Sequence, residues 1–311
     1  MKQALVTGGA GFIGSHLVRE LMAQGVAVRV LDNLSSGNIA NLEGMGKKIE
    51  FQQGDIRNAV ACRNACRDVD TVFHLAALVS VPQSVADPVQ ADAINIGGTL
   101  NLLLAARDRG VKRLVFSSSS AVYGNTATIP TPESVLPAPV SPYGTQKLTG
   151  EHYCRNFAQL YGLETVCLRY FNVYGPRQNP NSEYAAVIPK FLTRLLAGQP
   201  PTVFGDGEQT RDFCFVGDVV AANLLAARTP SSEAIGGVFN VASGQRVSLN
   251  MLLEQMQEVT GAPVSACYEA PRPGDILHSG ADIGRAQAVL GFAPQITLAD
   301  GLVRTAAHYR E

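Results

Sequence analysis

The chain has 311 residues, of which 46% are hydrophobic and 16% charged, and its formal net charge is -1. This length allows one large domain or two lobes with a well-buried core, while the near-neutral charge gives no reason to expect a nucleic acid partner. No apolar run approaches the roughly 20 residues that cross a bilayer, and the opening MKQALVTGG is too short for a secretion signal. We therefore expect a cytoplasmic protein without a membrane partner.

Apolar runs rich in β-branched residues alternate with helix-like stretches through the first 170 residues. The predicted strands are ALVTG, AVRVLDN, IEFQQGD, TVFHLAA, RLVFSSS and ETVCLRYFN. The predicted helices between them are SHLVRELMAQG, NIGGTLNLLLAARDRG and SPYGTQKLTGEHYCRNFAQLYG, and each closes on a glycine, as helices often do. This alternation predicts a Rossmann-type α/β fold, a doubly wound parallel sheet with right-handed crossovers.

The pattern changes after Asn172, where VYGPRQNPNSEYAAVIPKF carries three prolines and leads into a helix. The helix-like VGDVVAANLLAARTP and the strand-like GVFNVAS then return to the first lobe, and short helices with Pro/Gly turns follow. We predict a first domain of residues 1–171 and 215–243. A smaller, interleaved α/β domain of residues 172–214 and 244–311 is predicted to bind the substrate.

The stretch VTGGAGFIGSHL follows the first strand and opens the first helix. Gly8 and Gly11 allow the backbone to approach a pyrophosphate at the helix N-terminus, and Gly14 permits close packing of helix on strand. In this strand-turn-helix context the glycines predict a dinucleotide site. A tight turn without a ligand is the alternative.

Asp32 ends the second strand, where an acidic side chain can accept hydrogen bonds from the adenosine ribose. The carboxylate would repel a 2′-phosphate, so NAD is favoured over NADP. The alternative is an aspartate that only starts the turn NLSSG. Asp55 and Ile56 are candidates to flank the adenine, and Leu75 to Ala77 are small enough for close approach. The predicted cofactor contacts are Gly8, Gly11, Phe12, Ile13, Asp32, Asn33, Ser36, Gly37, Asp55, Ile56, Leu75, Ala76, Ala77, Tyr143 and Lys147.

SPYGTQK places Tyr143 and Lys147 four residues apart, on one face of a helix. An opposite charge at about 4 to 6 Å lowers a pKa by roughly 1 to 3 units, so Lys147 and oxidised NAD are expected to lower the pKa of Tyr143. Tyr143 is then a candidate general base, and Lys147 can also hydrogen-bond the nicotinamide ribose. Upstream, VFSSSSAVYG places several hydroxyls at the carboxyl edge of the sheet, where such folds bind ligands.

Together, TGGAGFIG, Asp32, SSSSAVYG and the Tyr143/Lys147 pair resemble the extended short-chain dehydrogenase/reductase family, and within it the nucleotide-sugar 4-epimerases. The resemblance covers essentially the whole chain. It implies NAD as cofactor, no catalytic metal, and a catalytic set of Ser119, Tyr143 and Lys147. Ser118 and Ser120 are alternatives to Ser119 for the contact with the reacting hydroxyl.

Two positions before Tyr123 separate the members of this family. Sugar-nucleotide 4,6-dehydratases carry an Asp-Glu pair where this chain has Ser120 and Ala121, and UDP-glucuronate decarboxylases carry a Glu at the second position. Without that acid, elimination lacks its general acid/base. Epimerisation, which needs only removal and return of a hydride, is therefore the expected reaction.

The resemblance places a UDP-sugar in the second lobe. Guanidinium groups of Arg211 and Arg272 suit a diphosphate, Asp275 suits a ribose hydroxyl, and Val187 with Ile188 and Phe204 are expected to enclose the uracil. Ser279 matches the position at which a small side chain leaves room for an N-acetyl group. The implied substrate-binding residues are Ser119, Asn172, Val187, Phe204, Arg211, Arg272, Asp275 and Ser279.

We therefore expect interconversion of UDP-GlcNAc and UDP-GalNAc, with UDP-glucose and UDP-galactose as a second pair. One alternative is an enzyme acting on another nucleotide sugar, such as UDP-glucuronate or a dTDP-sugar. Another is a dinucleotide-sensing protein without catalysis. The resemblance also implies a homodimer formed through helices near residues 92–109 and 142–161, although the apolar faces of these helices suit an internal core equally well.

Overall fold

The computed structural model describes residues 1–45, 49–180, 186–271 and 277–310. Its strands are β1 (Gln3–Thr7), β2 (Ala27–Asp32), β3 (Ile49–Gln53), β4 (Thr71–His74), β5 (Arg113–Ser119), β6 (Glu164–Tyr170), β7 (Val173–Tyr174), β8 (Thr202–Phe204), β9 (Thr210–Asp212), β10 (Cys214–Phe215), β11 (Gly237–Val241), β12 (Arg246–Ser248) and β13 (Cys267–Glu269). Seven of them form one sheet in the order β11-β6-β5-β4-β1-β2-β3.

Every pairing in this large sheet is parallel. The chain runs outward from β1 to β3, then crosses back to β4 and continues to β6 and β11, so the sheet is doubly wound, as predicted. Two hydrophobic clusters sandwich it. The six predicted strands and the returning strand GVFNVAS are all present, and the predicted fold class is confirmed.

The helices are α1 (Phe12–Ala23), α2 (Ala59–Ala65), α3 (Val81–Ala86), α4 (Pro88–Asp92), α5 (Thr99–Asp108), α6 (Pro142–Tyr161), α7 (Val187–Leu196), α8 (Val216–Arg228), α9 (Leu249–Thr260), α10 (Gly284–Leu290) and α11 (Leu298–Arg310). A π-helical stretch, Ala93–Gly98, precedes α5. On α6 the Ser141 side chain accepts a hydrogen bond from the Gly144 N–H, and Gly162 ends the helix in the left-handed conformation.

The smaller lobe is built from three two-stranded pairs, β7 with β10, β8 with β13, and β9 with β12. Helices α7, α9 and α11 supply most of its core, in which Leu192, Leu252 and Leu302 are fully buried. The chain passes between the two lobes at three short connections: from β6 to β7, from β10 to α8, which packs with the large sheet, and from β11 to β12.

Helix α10 packs with the large sheet, because Ala286, Leu290 and Phe292 belong to the same cluster as β11. The predicted domain division places residues 244–311, and therefore α10, in the second lobe. The boundary between the two domains in this part of the chain stays a prediction. Among the described helices, none is long and apolar enough to span a membrane.

Candidate active site

The glycine-rich turn after β1 forms a backbone cradle. Gly8 has φ of +69°, and a Cβ there would lie 2.8 Å from the backbone N of Ala76. A Cβ on Gly14 would lie 2.1 Å from the Gly8 carbonyl oxygen. Gly11 precedes α1 without a side-chain cap, so it leaves the N–H groups of Phe12 and Ile13 in the first turn uncapped, and no side chain in the described part of the chain accepts from them. This shape and its free donors fit a pyrophosphate of NAD.

Asp32 lies at the end of β2 and is buried. Its Oδ2 accepts from the Ala10 N–H at 2.9 Å and its Oδ1 from the Leu34 N–H at 2.8 Å. Through Ala10 the carboxylate holds the glycine-rich turn in place. Through Leu34 it also starts the turn NLSSG, which was the alternative role considered for Asp32. Each oxygen keeps a lone pair for the adenosine ribose, so both roles are compatible.

The predicted adenine edge lies beside Asp32. Asn33 Nδ2 donates to Asp55 Oδ2 at 2.9 Å, and the Arg57 guanidinium beside Asp55 lowers the pKa of that carboxyl to about 2. Ile56 is buried, while Ser36 is exposed and Gly37 packs against Ala10. The structure brings these predicted cofactor residues to one edge of the sheet.

His74 fixes the end of β4, where Leu75, Ala76 and Ala77 begin. The Thr99 hydroxyl donates to the Asn95 carbonyl at 2.6 Å, so it accepts from His74 Nε2, at 2.9 Å. Nδ1 then accepts from the Thr7 hydroxyl at 2.8 Å. Burial lowers the pKa of His74 to about 3, so the ring is neutral. Because Thr7 also accepts from the Ala76 N–H, the histidine holds Ala76 against the glycine turn.

Tyr143 lies in the first turn of α6, with its backbone N–H donating to Ser84 Oγ at 3.1 Å. Burial raises the pKa of Tyr143, and a hydrogen bond with the Ser119 side chain lowers it. The net direction is upward, so the expected lowering by Lys147 is not found in the protein itself. The physical reason is that the hydroxyl is buried while the ammonium lies 5.9 Å from the ring centroid and interacts elsewhere.

Lys147 is buried one turn further along α6. Its Nζ donates to the Ser117 carbonyl at 2.7 Å and lies 5.0 Å from the centre of the Phe116 ring. Burial lowers the pKa of Lys147 to about 8. The ammonium therefore bridges α6 to the end of β5 and stays mostly charged at neutral pH.

The hydroxyls at the end of β5 have different partners. Ser117 Oγ lies 3.0 Å from the Tyr170 hydroxyl, and Ser118 Oγ donates to Glu151 at 2.5 Å, both in the buried interior. Ser119 is half-buried, accepts from the Ala121 N–H at 3.2 Å, and is the serine whose side chain lowers the pKa of Tyr143. The geometry therefore favours Ser119 over Ser118 as the catalytic serine.

Three predicted substrate residues meet at the start of the second lobe. Asn172 has φ of +29°, and its Nδ2 donates to the Asp212 carbonyl at 3.0 Å. Arg211 Nη1 donates to the Thr210 carbonyl at 2.9 Å. The Ser279 N–H also donates to Thr210, at 3.0 Å. Asn172, Arg211 and Ser279 are thus held together by the backbone of β9.

The residues predicted to enclose the uracil are divided. Val187 and Phe204 are half-buried, at the start of α7 and the end of β8. Ile188 is 1% exposed and packs in the core of the second lobe, so its side chain is less accessible than those of Val187 and Phe204, and its contact with the uracil stays a prediction. Arg272 and Asp275 lie outside the described residues.

Sequence reasoning missed several residues that support this site. Ser84 Oγ accepts a hydrogen bond from the Tyr143 N–H. The buried Glu151 and Arg169 form an ion pair, and Ser118 donates a hydrogen bond to Glu151. Two signals were present: Glu151 follows Lys147 by four residues on the same helix, and Arg169 is a charge inside an otherwise apolar strand. In the described part of the chain, no group of three or more His, Cys, Asp or Glu side chains is placed to hold a metal ion.

Comparison with known proteins agrees with this geometry. Residues 4–242 match the NAD dependent epimerase/dehydratase family. The chain belongs to this family. A curated UDP-glucose 4-epimerase of Mycolicibacterium smegmatis is 42% identical over 313 residues, which cover 99% of this chain and 98% of the relative.

Two solved structures are similar over almost the entire epimerase-family chain. UDP-glucose 4-epimerase from Thermotoga maritima, with UDP-glucose, has a TM-score of 0.93 at 41% identity. UDP-N-acetylglucosamine 4-epimerase from Methanobrevibacter ruminantium, in complex with UDP-N-acetylmuramic acid, has a TM-score of 0.95 at 42% identity. Each comparison covers 99% of this chain and 98% of the other. The predictions of an NAD cofactor and of an enzyme of the UDP-hexose 4-epimerase type are confirmed.

Proposed function

We propose that this epimerase-family enzyme interconverts UDP-GlcNAc and UDP-GalNAc, with UDP-glucose and UDP-galactose as a second substrate pair. The observation that carries the proposal is the buried Tyr143, bonded to Ser119 and one helical turn from Lys147. These three residues lie at the carboxyl edge of a sheet whose glycine cradle fits NAD. This arrangement supports the reaction class, and the small side chain of Ser279 supports the choice of an acetylated sugar.

In the proposed mechanism Tyr143 takes the proton of the sugar 4-hydroxyl, and Ser119 holds that oxygen in place. The glycine cradle and Asp32 would hold NAD, whose nicotinamide would supply the acceptance of a hydride from C4 and its return to the opposite face. Between these events the 4-keto sugar turns about its bond to the β-phosphate. With NAD bound, the positive charges of the nicotinamide and of Lys147 would together favour the tyrosinate, and Lys147 would bind the nicotinamide ribose.

The anchoring of UDP has to survive this rotation. We assign the diphosphate to Arg211 and to Arg272 and the ribose to Asp275, the latter two outside the described residues. Val187 and Phe204 are the proposed neighbours of the uracil. Strong contacts to UDP and a loosely complementary sugar pocket allow both epimers to be held equally well.

Two sequence positions favour epimerisation over the other reactions of the family. Ser120 and Ala121, both half-buried beside Ser119, offer no carboxylic acid to protonate a leaving group at C6. A dehydratase needs such an acid, and decarboxylases of the family carry a Glu where this chain has Ala121. The chain is therefore proposed to stop at the keto sugar and reduce it again.

Ser279 supports the choice of acetylated sugars. Its side chain is small and half-buried, and its backbone is fixed by β9. A small residue here leaves volume for an N-acetyl group. Because small residues also admit plain hexoses, UDP-glucose remains a proposed second substrate.

The first test is incubation of the purified protein with UDP-GlcNAc, UDP-glucose or UDP-glucuronate, without added cofactor, and detection of the C4 epimers by proton NMR. Epimer from UDP-GlcNAc is expected. Turnover of UDP-glucose alone would refute the acetyl-sugar assignment but keep the mechanism. Turnover of UDP-glucuronate alone would favour the rival substrate class.

Two variants sharpen this test. Ser279→Tyr is expected to abolish turnover of UDP-GlcNAc and retain that of UDP-glucose, whereas the matched control Ser279→Ala keeps both. Tyr143→Phe is expected to remove turnover while NAD and UDP still bind, with a loss of about 10²- to 10⁴-fold. A purely dinucleotide-sensing protein would show no turnover before or after this change.

We also propose a cytoplasmic homodimer. Three large apolar side chains are exposed: Val89 on α4 (78%), and Leu160 (71%) and Tyr161 (51%) on α6. By contrast, Leu102 and Leu103 on α5 are fully buried in the core. The exposed face near α4 and α6 is thus the proposed interface. Sedimentation equilibrium with Val89→Glu and Leu160→Glu tests it, and a wild-type monomer would refute it.

A further inference from the structure

The carboxylate of Asp212 joins parts of the chain that lie far apart in the sequence. Oδ1 accepts from the backbone N–H of Ser243 at 2.8 Å and from its hydroxyl at 2.6 Å. Oδ2 accepts from the N–H of Gly244 at 3.1 Å and of Ala281 at 3.3 Å. The side chain is fully buried, so these four donors, and not solvent, satisfy it.

These contacts surround the proposed UDP-sugar residues. Asp212 follows Arg211 on β9, and its carbonyl accepts from Asn172 Nδ2. Ala281 lies two residues after Ser279, whose N–H binds the carbonyl of Thr210 on the same strand. Asp212 therefore touches the three segments that carry Asn172, Arg211 and Ser279, although it is itself inaccessible to a ligand.

Only a carboxylate can make this set of contacts with a side chain of this length. An ionised Asp accepts at about four lone-pair sites, whereas Asn accepts at two and carries donors on its other end. Within the described residues no Lys or Arg forms an ion pair with Asp212, and burial raises the pKa of this carboxyl while the four hydrogen bonds lower it. A buried charge without an ionic partner is costly. Its contribution here is to fix the geometry of backbone donors.

We propose that Asp212 is a positioning residue for the UDP-sugar: its carboxylate fixes the segment around Ser279 and the turn after β11 relative to the Arg211 strand. This inference rests on the proposed function, which assigns Arg211 and Ser279 to the substrate. Asp212 acts through these residues and does not touch the reacting atoms. Its loss therefore weakens substrate binding and leaves the chemistry at Tyr143 largely unchanged.

The test is Asp212→Asn in the full-length protein, with UDP as the probe. The amide nitrogen faces two donors, so at least half of the contacts are lost at constant side-chain volume. We expect the Kd for UDP, measured by titration calorimetry, to rise at least about tenfold. KM for the UDP-sugar should rise similarly, while kcat changes by less than about threefold and the bound NAD content is unchanged.

Asp218 supplies a matched control. It is buried on α8 and accepts from the N–H groups of Gln295 at 2.9 Å and Ile296 at 3.3 Å. The chemistry is the same, but the segment that it holds carries no proposed substrate residue. Asp218→Asn is expected to lower Tm without changing the Kd for UDP. An equal rise of Kd in both variants would mean general loosening of the lobe and would overturn the inference.

Three further outcomes are decisive. If Asp212→Asn does not yield folded protein, Ser243→Ala, which removes a single donor, is measured instead and should raise the Kd for UDP about two- to fivefold; an unchanged Kd overturns the inference. Equal affinity of wild type and Asp212→Asn for UDP overturns this inference alone. Absence of UDP binding to the wild-type protein overturns the proposed function as well.

Discussion

Glu151 on α6 and Arg169 on β6 form a bidentate ion pair in the interior, with Nε and Nη2 of the arginine 2.8 and 2.6 Å from the carboxylate oxygens. The two side chains are 2% and 4% exposed. Ser118 donates to the same carboxylate, and the guanidinium lies 4.6 Å from the centre of the Tyr123 ring. This pair connects the helix that carries Tyr143 to β6, the neighbour of the strand that carries Ser119, the proposed catalytic serine.

Breaking this pair is expected to destabilise the fold strongly. Glu151→Gln removes the charge and leaves the Arg169 guanidinium buried without an ionic partner, which typically costs about 3 to 5 kcal/mol. Urea unfolding of the wild type and the variant at pH 7 gives the free energy of unfolding. A loss below about 1 kcal/mol would contradict the prediction.

The control replaces both partners. In Glu151→Met with Arg169→Met the buried charge is gone, and apolar replacements of buried pairs are often neutral or stabilising. The double variant should therefore recover most of the stability lost in the single variant. If it is less stable than Glu151→Gln, the pair matters for packing more than for charge.

Lys147 imposes a pH-dependent cost on stability. Burial lowers its pKa from 10.5 to about 8, so between these values the unfolded chain binds more protons than the folded one and stability rises with pH. Below about pH 8 the full cost of burying the ammonium is present, on the order of 3 kcal/mol. Lys147→Met should therefore stabilise the protein at pH 7 and lose most of that gain by pH 10.

Unfolding of the wild type and Lys147→Met at pH 7 and pH 10 tests this sign. Lys147→Arg, which stays charged at both values, should show no such pH-dependent gain. A gain for Lys147→Met that is larger at pH 10 than at pH 7 would refute the assignment of a lowered pKa. Turnover should fall in Lys147→Met even where stability increases, as expected for a buried functional charge.

The glycine cradle gives a steric prediction. A Cβ on Gly14 would lie 2.1 Å from the carbonyl oxygen of Gly8 and 2.8 Å from Cα of Gly9, so Gly14→Ala has to push the turn away from α1. We expect a loss of stability of about 1 to 3 kcal/mol and NAD binding at least about tenfold weaker. NAD released on denaturation of the purified protein measures the bound fraction.

Gly97→Ala is the matched control for this substitution. A Cβ at Gly97 has no neighbour closer than the Asp92 carbonyl oxygen at 4.0 Å. The change should keep NAD and alter stability by less than about 1 kcal/mol. Equal NAD content in both variants would show that close packing at Gly14 does not shape the cofactor site.

The large sheet could be predicted because its strands are buried on both faces. β1, β5 and β6 each contain a continuous buried run of four or six residues around the apolar cores ALV, LVF and VCL, and glycines mark the helix ends between them. The second lobe had no such signal, since β7 and β10 are two residues long. Periodicity needs more residues than that, so tertiary pairing decides these elements.

The same distinction holds in the site. Gly8, Asp32, Tyr143 and Lys147 lie in local patterns whose spacing carries their meaning. Asp212 instead contacts residues 31, 32 and 69 positions away, and no local pattern indicates such a hub. The predicted lowering of the Tyr143 pKa is also not found in the protein itself, where the pKa is raised. Burial by distant segments causes this shift, and a helical spacing does not reveal such burial.

Ser119 is expected to control the pH dependence of turnover through Tyr143. Burial raises the pKa of the Tyr143 hydroxyl, and the Ser119 hydrogen bond lowers it. Ser119→Ala removes the lowering influence, so the pKa rises further and less tyrosinate, the active base, is present at a given pH. The rising limb of kcat against pH should move to higher pH, and turnover at pH 8 should fall about 10²-fold or more.

Ser119→Thr keeps a hydroxyl and should restore much of the rate, whereas Ser120→Ala, one residue further along, should retain both rate and profile. The serine that lowers the Tyr143 pKa has to be the one whose removal shifts the pH dependence of kcat. A larger loss of turnover in Ser120→Ala than in Ser119→Ala would therefore assign the catalytic hydroxyl to Ser120.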